Sequence, residues 1–231
     1  MSLKGMIFDK DGTLFDFQAT WGVWAAGVLE KLSAGNTDLR QAMADTLHYD
    51  LETSKFRPTS LVIAGTPMEI AEALSPHLPG RSIDEIFTFL NAEAEVAPQA
   101  EVVPLAPFLG DLKARGLVLG VATNDAEAPA LGNLRSAGVA EEFAFIVGSD
   151  SGFGGKPAPG QLLAFLEQTG LSAGDVAMVG DSTHDLHAGR AAGMVTIAVL
   201  TGTAVAEDLA PFADVVLGDI GDIPDWLQTR A

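Results

Sequence analysis

The hydrophobic pattern divides the chain into a short N-terminal strand, a helical segment, and a longer segment in which strands and helices alternate. Met6-Ile7-Phe8 is an apolar run, and Gly12 interrupts the pattern soon after it, which predicts a short buried strand. Between residues 17 and 99 the apolar residues recur at spacings of three and four, which is typical of amphipathic helices. From about residue 100 onward, continuous apolar runs alternate with helical stretches.

The segment from 17 to 99 is predicted to contain four helices. Their apolar sides lie at 21–32, 39–47, 70–74 and 86–90. Thr66-Pro67 followed by Glu69 supplies an N-cap, a proline at the first helical position and an acid in the first turn. Ser82 with Glu85 three residues later is a capping box that opens the fourth helix. We therefore expect a small helical domain here.

The remaining pattern predicts an α/β fold with a doubly wound parallel sheet. Further strands are expected at 117–122, 145–147, 176–179, 195–199 and 215–217, and helices near 107–115, 126–137, 159–169 and 184–192. Strands that are apolar throughout are typical of a sheet covered on both faces. We expect residues 1–16 and 100–231 to form this core domain, and residues 17–99 to form an inserted helical bundle.

Composition and charge narrow the class of protein. With 231 residues, 48% of them hydrophobic, the chain can bury a sizeable core, and without cysteine it can hold no disulfide or thiolate metal site. No apolar run reaches the roughly 18 residues of a membrane span, and the first residues do not resemble a signal peptide, so we expect a soluble, cytoplasmic protein. The net charge of −18 argues against nucleic acid or a membrane surface as a partner. A monomer and a homodimer both stay open.

The most informative residues are two carboxylates, Asp9 and Asp11, that directly follow the first strand. In open α/β sheets, ligands bind at the carboxyl ends of the strands. Two neighbouring anions need a proton, a basic side chain or a divalent cation to offset their charge, and Mg²⁺ prefers such oxygen ligands. A carboxylate can also act as a nucleophile. A helix cap or an acidic surface turn is the alternative explanation of the motif taken alone.

Three further candidate sites follow later strands. Thr123-Asn124 offers a hydroxyl and a backbone N–H that could hold phosphate oxygens, although a turn capping the next helix explains the same pair. Lys156 could offset the charge of carboxylates and phosphate, or be an ordinary loop lysine. Asp181 and Asp185 could complete an oxygen-rich metal site, while Asp181 or Ser182 could instead cap a helix.

Together these sites resemble the four motifs of the haloacid dehalogenase-like superfamily in its phosphatase form. The motifs are, in chain order, Asp9-x-Asp11-Gly12-Thr13-Leu14, Thr123, Lys156 in a Lys-Pro-x-Pro context, and Asp181-x-x-x-Asp185. The resemblance covers nearly all of the chain outside residues 17–99. That insert, placed between the first and second motifs, resembles the helical cap of the phosphoglycolate phosphatase type.

The resemblance implies a Mg²⁺-dependent phosphatase acting on a small phosphorylated metabolite, with phosphoglycolate as the default substrate. Asp9 would attack phosphorus and form an aspartyl-phosphate, and Asp11 would protonate the leaving alcohol and then activate water. Lys156 and Thr123 would hold the phosphoryl group, with Asn124 beside them. The implied metal ligands are Asp9, Asp11 through its backbone carbonyl, Asp181, and Asp185 as a ligand or as a neighbour of the ligands.

Substrate selection and two other functions stay open at this point. Arg57, in the insert, is a candidate for binding a second anionic group of the substrate, although ordinary surface charge explains it equally well. A phosphosugar mutase of the β-phosphoglucomutase type keeps both Asp9 and Asp11. A noncatalytic receiver-like module also uses an acidic Mg²⁺ pocket and a lysine, but its phospho-acceptor follows a middle strand, whereas Asp9 follows the first.

Overall fold

The computed structural model describes residues 3–63 and 65–229, in which strands and helices alternate after an initial helical insert. The strands, numbered in chain order, are β1 (Gly5–Phe8), β2 (Tyr49–Asp50), β3 (Lys55–Phe56), β4 (Val118–Ala122), β5 (Phe145–Val147), β6 (Val176–Gly180), β7 (Val195–Val199) and β8 (Val215–Leu217). The helices are α1 (Phe17–Ser33), α2 (Thr37–Thr46), α3 (Pro67–Leu74), α4 (Ile83–Glu95), α5 (Leu105–Ala114), α6 (Glu127–Ser136), α7 (Gly160–Thr169), α8 (Thr183–Ala191), α9 (Ala206–Leu209) and α10 (Ile223–Thr229).

Six of the strands form one parallel sheet in the order β5-β4-β1-β6-β7-β8. The first strand of the chain therefore lies at the centre, hydrogen-bonded to β4 on one side and to β6 on the other. The strand order reverses beside β1, and this is where doubly wound sheets open a crevice for ligands. The carboxyl end of β1 thus lies at the position that the fold favours for a site.

Both faces of the sheet are covered, which confirms the predicted α/β class. Along β1, Met6 and Phe8 belong to a buried cluster that includes Leu109 of α5. Ile7 points the other way, into a cluster that includes Phe165 of α7. This alternation follows from the two-residue period of a strand. Because both faces are covered, the strands are apolar at nearly every position; Thr196 in β7 is the polar exception among the strand residues of this sheet.

Helices α1 to α4 share a hydrophobic cluster of their own. Its buried members run from Phe17 to Ala97 and include no residue of the six-stranded sheet. The N-cap expected at Thr66 and the capping box expected at Ser82 are both present, and each N-cap side chain accepts a hydrogen bond from the backbone N–H three residues on. The four predicted helices therefore form in the expected places and pack on one another.

The insert also contains an antiparallel hairpin, β2–β3, that the helical interpretation of this segment did not include. Tyr49 and Phe56 face each other across the hairpin with their ring centroids 5.0 Å apart. The Tyr49 hydroxyl donates to the Gly22 carbonyl at 2.8 Å, which ties the hairpin to α1. Strands of two residues are too short to show an alternating pattern in the sequence. Their formation therefore depends on tertiary contacts such as these. None of the described helices combines the length and the hydropathy needed to cross a bilayer.

Candidate active site

The turn after β1 sets the position of the first carboxylate. The backbone N–H of Asp9 donates to the Val179 carbonyl at 2.8 Å, so the chain is still paired with β6 when it leaves the sheet. The carbonyl of Lys10 then accepts from the backbone N–H groups of both Leu14 and Phe15, which closes a tight turn. Gly12 within this turn has a φ of +76°, a conformation that glycine adopts without a steric penalty.

Four charged side chains from three separate segments meet at this end of the sheet. Carboxylate oxygens of Asp9, Asp181 and Asp185 all lie within 4.8 Å of one another. The Nζ atom of Lys156 lies 2.7 Å from Asp9 Oδ1 and 2.7 Å from Asp185 Oδ1. The structure therefore brings together residues that are up to 176 positions apart in the sequence.

Burial shifts the protonation equilibria of this cluster. Desolvation, opposed by Lys156 and reinforced by Asp185 and Asp11, raises the pKa of Asp9 to about 7. Desolvation together with Asp185 and Asp9 raises the pKa of Asp181 well above its usual range. Burial alone would lower the pKa of Lys156, but Asp185 and Asp9 together raise it above its ordinary value, so this lysine stays charged.

The donor set fits a hard divalent cation. Three carboxylates face a single ammonium, which leaves negative charge that one more cation would offset. Asp181 receives a long hydrogen bond, 3.3 Å, from Thr13 Oγ1, so its oxygens are only weakly engaged. A Cβ atom at Gly12 or at Gly202 would overlap the Asp181 carboxylate, so two backbone segments enclose this side chain closely. An oxygen-lined site with such rigid walls suits Mg²⁺.

Asp185 differs from the other two carboxylates in how it is held. Its Oδ2 accepts from the backbone N–H of Ser182 at 3.0 Å and from Ser182 Oγ at 2.7 Å, which is a capping box at the start of α8. Its Oδ1 faces Lys156. The helix cap expected at Ser182 is therefore present, and Asp185 contacts both this cap and the lysine.

Asp11 lies apart from the three-carboxylate cluster. Its Oδ1 accepts from Lys10 Nζ at 2.8 Å, and the side chain lines the cavity beside Asp9. Its carboxylate is accordingly not among the grouped metal-ligand atoms, and a contribution from Asp11 would have to come from the backbone carbonyl.

Two functional candidates, Lys10 and Asp125, escaped the sequence interpretation. Lys10 is completely buried, and its Nζ also lies 3.4 Å from Asp125 Oδ2 and 3.2 Å from Asn133 Oδ1. Burial raises the pKa of Asp125 to about 6, although Lys10 opposes this shift. Their positions in the sequence could have identified both residues. Asp125 comes directly after Thr123-Asn124, and Lys10 lies between two acids at a strand end.

Thr123 and Asn124 directly follow β4. Thr123 is buried, lines the cavity, and its Oγ1 accepts from the Asp125 backbone N–H at 3.1 Å, so it also makes the local turn contact. The Asn124 side chain pairs with the backbone of Lys156, accepting from its N–H at 2.7 Å and donating to its carbonyl at 2.9 Å. Asn124 therefore fixes the loop that presents the lysine.

Arg57 and the two histidines lie elsewhere. Arg57 is exposed at the end of the β2–β3 hairpin, its backbone N–H donates to the His48 carbonyl, and it does not line the cavity that opens at Asp9. His187 packs on Phe212 with ring centroids 4.4 Å apart, and neither it nor His184 belongs to the described carboxylate cluster. Arg57 is therefore not among the described residues that line the cavity.

Comparison with known proteins places this geometry in a family. The chain matches the model of the haloacid dehalogenase-like hydrolases over residues 3–193. A phosphoglycolate phosphatase from Rhodospirillum rubrum is 31% identical over 234 residues, which cover 97% of this chain and 90% of the relative. This similarity extends over the insert as well as over the sheet.

Solved structures show the same fold. A protein from Haemophilus somnus, named a predicted phosphoglycolate phosphatase, superposes with a TM-score of 0.73 at 20% identity and 98% coverage of both chains. The β-phosphoglucomutase of Clostridium difficile superposes with a TM-score of 0.67 at 16% identity, covering 99% of this chain and 96% of the other. At such identities the likeness concerns the fold alone.

Proposed function

Since the chain belongs to the haloacid dehalogenase-like hydrolases and is a phosphatase, we propose that it hydrolyses a small organic phosphate monoester in a Mg²⁺-dependent reaction through an aspartyl-phosphate on Asp9. The observation that carries the proposal is the position of Lys156 Nζ, 2.7 Å from both Asp9 and Asp185 at the carboxyl end of the central strand. Phosphoglycolate, which names the relatives, is the reference ester.

The residues around Asp9 are suited to nucleophilic attack on phosphorus. Asp9 must be ionised to attack, and Lys156 favours that form by lowering the pKa that burial raises. The same ammonium can contact an equatorial phosphoryl oxygen, while the Thr123 hydroxyl holds another. Phosphoryl transfer depends on such positioning and charge neutralisation more than on a strong nucleophile.

Asp11 is the group placed to move protons. It lines the cavity next to Asp9 but lies outside the carboxylate cluster, so it can reach the leaving oxygen without binding the cation. We assign it the transfer of a proton to the leaving alcohol and, in the second half-reaction, the removal of a proton from the attacking water. Its contact with Lys10 at 2.8 Å fixes its orientation.

Asp9, the backbone carbonyl of Asp11, and Asp181 would hold the divalent cation, with Asp185 hydrogen-bonded behind them. When bound, the cation neutralises charge that develops on the transferring phosphoryl group. Without it, the two carboxylates of Asp9 and Asp181 repel an incoming phosphate, which adds to the repulsion from a chain of net charge −18.

We propose that the insert from 17 to 99 is a cap that covers the site. Its side chains Trp21, Val62 and Leu90 line the same cavity as Asp9 and Thr123. A cap that closes over the bound ester excludes water while the phosphoryl group is transferred.

A phosphosugar mutase is the second candidate, because the mutase of Clostridium difficile shares the fold and Asp9 and Asp11 suit both reactions. A mutase would return the phosphoryl group from Asp9 to a second hydroxyl of the sugar. It therefore predicts isomerised sugar phosphate with little free phosphate, whereas a phosphatase releases phosphate in proportion to the ester consumed.

The test is phosphate release from a panel of phosphate esters with and without Mg²⁺, using Asp9→Asn and the control Asp84→Asn. Asp84 is an exposed acid in the first turn of α4, so its substitution should leave turnover within about twofold of the parent. Asp9→Asn removes the nucleophile and should lower turnover by at least about a thousandfold. Full turnover by Asp9→Asn, or full turnover after chelation of metal, would contradict the proposal.

A further inference from the structure

The cavity that opens at Asp9 is apolar on the side of the insert. It has an empty volume of about 540 Å³, including the part that is open to solvent. The apolar side chains that line it include Phe17, Trp21, Trp24, Val62, Ile70 and Leu90. Because phosphate would sit against Asp9 and Lys156, the leaving alcohol of the ester would occupy this apolar part.

No cationic side chain is available in the cavity to bind a second anion of the substrate. Among the described residues that line it there is no lysine, arginine or histidine. Two ammonium groups beside the lining carboxylates are already paired, Lys10 with Asp11 and Asp125, and Lys156 with Asp9 and Asp185. Arg57, the candidate for binding a second anionic group of the substrate, is not among the described lining residues.

An anionic alcohol would therefore be unfavourable here. A carboxylate moved from water into this space would lose its hydration without gaining an ion pair. It would also approach Asp11 and Asp125, two further carboxylates that line the cavity. An apolar alcohol would instead exchange water for contact with aromatic and aliphatic side chains.

Resting on the phosphatase activity proposed above, we infer that the substrate is a phosphate monoester of an uncharged, largely apolar alcohol, and not a carboxylate-bearing ester such as phosphoglycolate. This inference differs from the substrate in the name of a relative, the phosphoglycolate phosphatase that is 31% identical to this chain. It concerns the cavity that holds the alcohol and leaves the phosphate-binding residues as assigned.

The test compares kcat/KM for benzyl phosphate and phosphoglycolate, which are both phosphate esters of primary alcohols. We expect benzyl phosphate to be hydrolysed with at least about a tenfold higher kcat/KM, because only its ring fits the apolar lining. A higher kcat/KM for phosphoglycolate, or equal values for the two esters, would overturn the inference.

Binding of non-hydrolysable analogues separates this inference from the proposed activity. Benzylphosphonate should bind more tightly than phosphonoacetate in the presence of Mg²⁺, and quenching of Trp21 and Trp24 fluorescence gives a readout that needs no turnover. If no ester of the panel described above is hydrolysed, the phosphatase proposal fails. Equal affinities or a preference for phosphonoacetate would overturn the assignment of the cavity, whatever the turnover.

A charge introduced into the cavity supplies the matched variant. Ile63→Lys places an ammonium at a partly buried lining position, and Met68→Lys places one at a position on α3 that is 36% exposed and outside the lining. Ile63→Lys should move the ratio of the two kcat/KM values toward phosphoglycolate by about tenfold, while Met68→Lys leaves it unchanged. An unchanged ratio in a folded Ile63→Lys protein would contradict the inference.

Discussion

Lys10 holds the proposed acid–base residue in place. Its side chain is completely buried, contacts Asp11, Asp125 and Asn133, and lies 5.1 Å from the ring centroid of Trp21. Burial alone would lower the pKa of Lys10, but Asp11 and Asp125 together raise it, so the ammonium stays charged. Because Asn133 in turn donates to the Ala94 carbonyl of α4, the same contacts join the active site to the insert.

Replacing this lysine should therefore affect both stability and turnover. Lys10→Met leaves two carboxylates without their shared cation, which we expect to cost about 3–5 kcal/mol of unfolding free energy. It should lower kcat more than it changes KM, since Asp11 loses the contact that orients it. Urea unfolding and steady-state kinetics measure the two effects. The control is Lys4→Met, which removes a 63% exposed lysine paired with Asp175 and should cost no more than about 1 kcal/mol.

The double variant Lys10→Met/Asp125→Asn identifies the cause of the loss. If unpaired charge is responsible, neutralising Asp125 should restore part of the lost unfolding free energy. Equal stabilities for Lys10→Met and Lys4→Met would show that the buried pair contributes little.

At the scale of single residues, the sequence showed chemistry-bearing groups at strand ends but not burial. Asp9, Lys156 and Asp181 were identified because each follows a predicted strand, and parallel strands bring their carboxyl ends to one edge. Lys10 was missed because a lysine between two acids in a turn resembles a solvated surface residue. The charge of Arg57 was visible in the sequence, whereas the β2–β3 hairpin that precedes this residue was not.

The N-terminus of α8 connects secondary structure to catalysis. Asp185 accepts from Ser182 through one oxygen and faces Lys156 with the other. A Cβ atom at Gly180 would overlap Asp185, so the strand end and the helix start fit closely around this carboxylate. The start of one helix therefore orients the lysine that contacts the nucleophile.

Two serine substitutions separate capping from catalysis. Ser182 and Ser82 are both N-caps of capping boxes, on α8 and on α4 respectively, so Ser182→Ala and Ser82→Ala should each cost about 1 kcal/mol of stability. Only Ser182→Ala should lower kcat, by about tenfold, because it also releases Asp185. Thermal unfolding and phosphate release measure the pair. If the two variants were equally active, the capping contact would have no part in positioning Lys156.

At the scale of elements, the sequence predicted those whose pattern is long enough to read. Every strand of the six-stranded sheet was expected, because apolar runs of three to six residues between turn signals, rich in β-branched residues and too short for a helix, favour buried strands. The β2–β3 hairpin and the short helices α9 and α10 were not expected. Each strand of the hairpin has two residues, too few to show alternation, and each of the two helices has fewer than two turns, too few to show a helical period. Their placement depends on tertiary contacts such as Ile223 packing under the sheet.

For the molecule as a whole, the site concentrates buried acids in a chain that is already strongly acidic. Burial raises the pKa of Asp9 to about 7 and that of Asp125 to about 6, and it also raises the pKa of Asp181. The folded state consequently binds more protons than the unfolded state from about pH 4 to about pH 7. In this window the unfolding free energy of the metal-free protein must fall as the pH rises, since protons bound preferentially by the folded state are lost.

A divalent cation should reverse that loss. In the metal-free protein, Tm should fall by several degrees between about pH 5 and about pH 8, and saturating Mg²⁺ should raise Tm more at the higher pH, where the carboxylates are ionised. Differential scanning calorimetry at both pH values, with chelator or with Mg²⁺, measures the effect. Asp181→Asn should flatten the pH dependence and weaken the response to Mg²⁺, while Asp84→Asn should retain both. Equal stabilisation by Mg²⁺ at both pH values would show that the cation binds elsewhere, because only the site with raised pKa values couples metal binding to proton release.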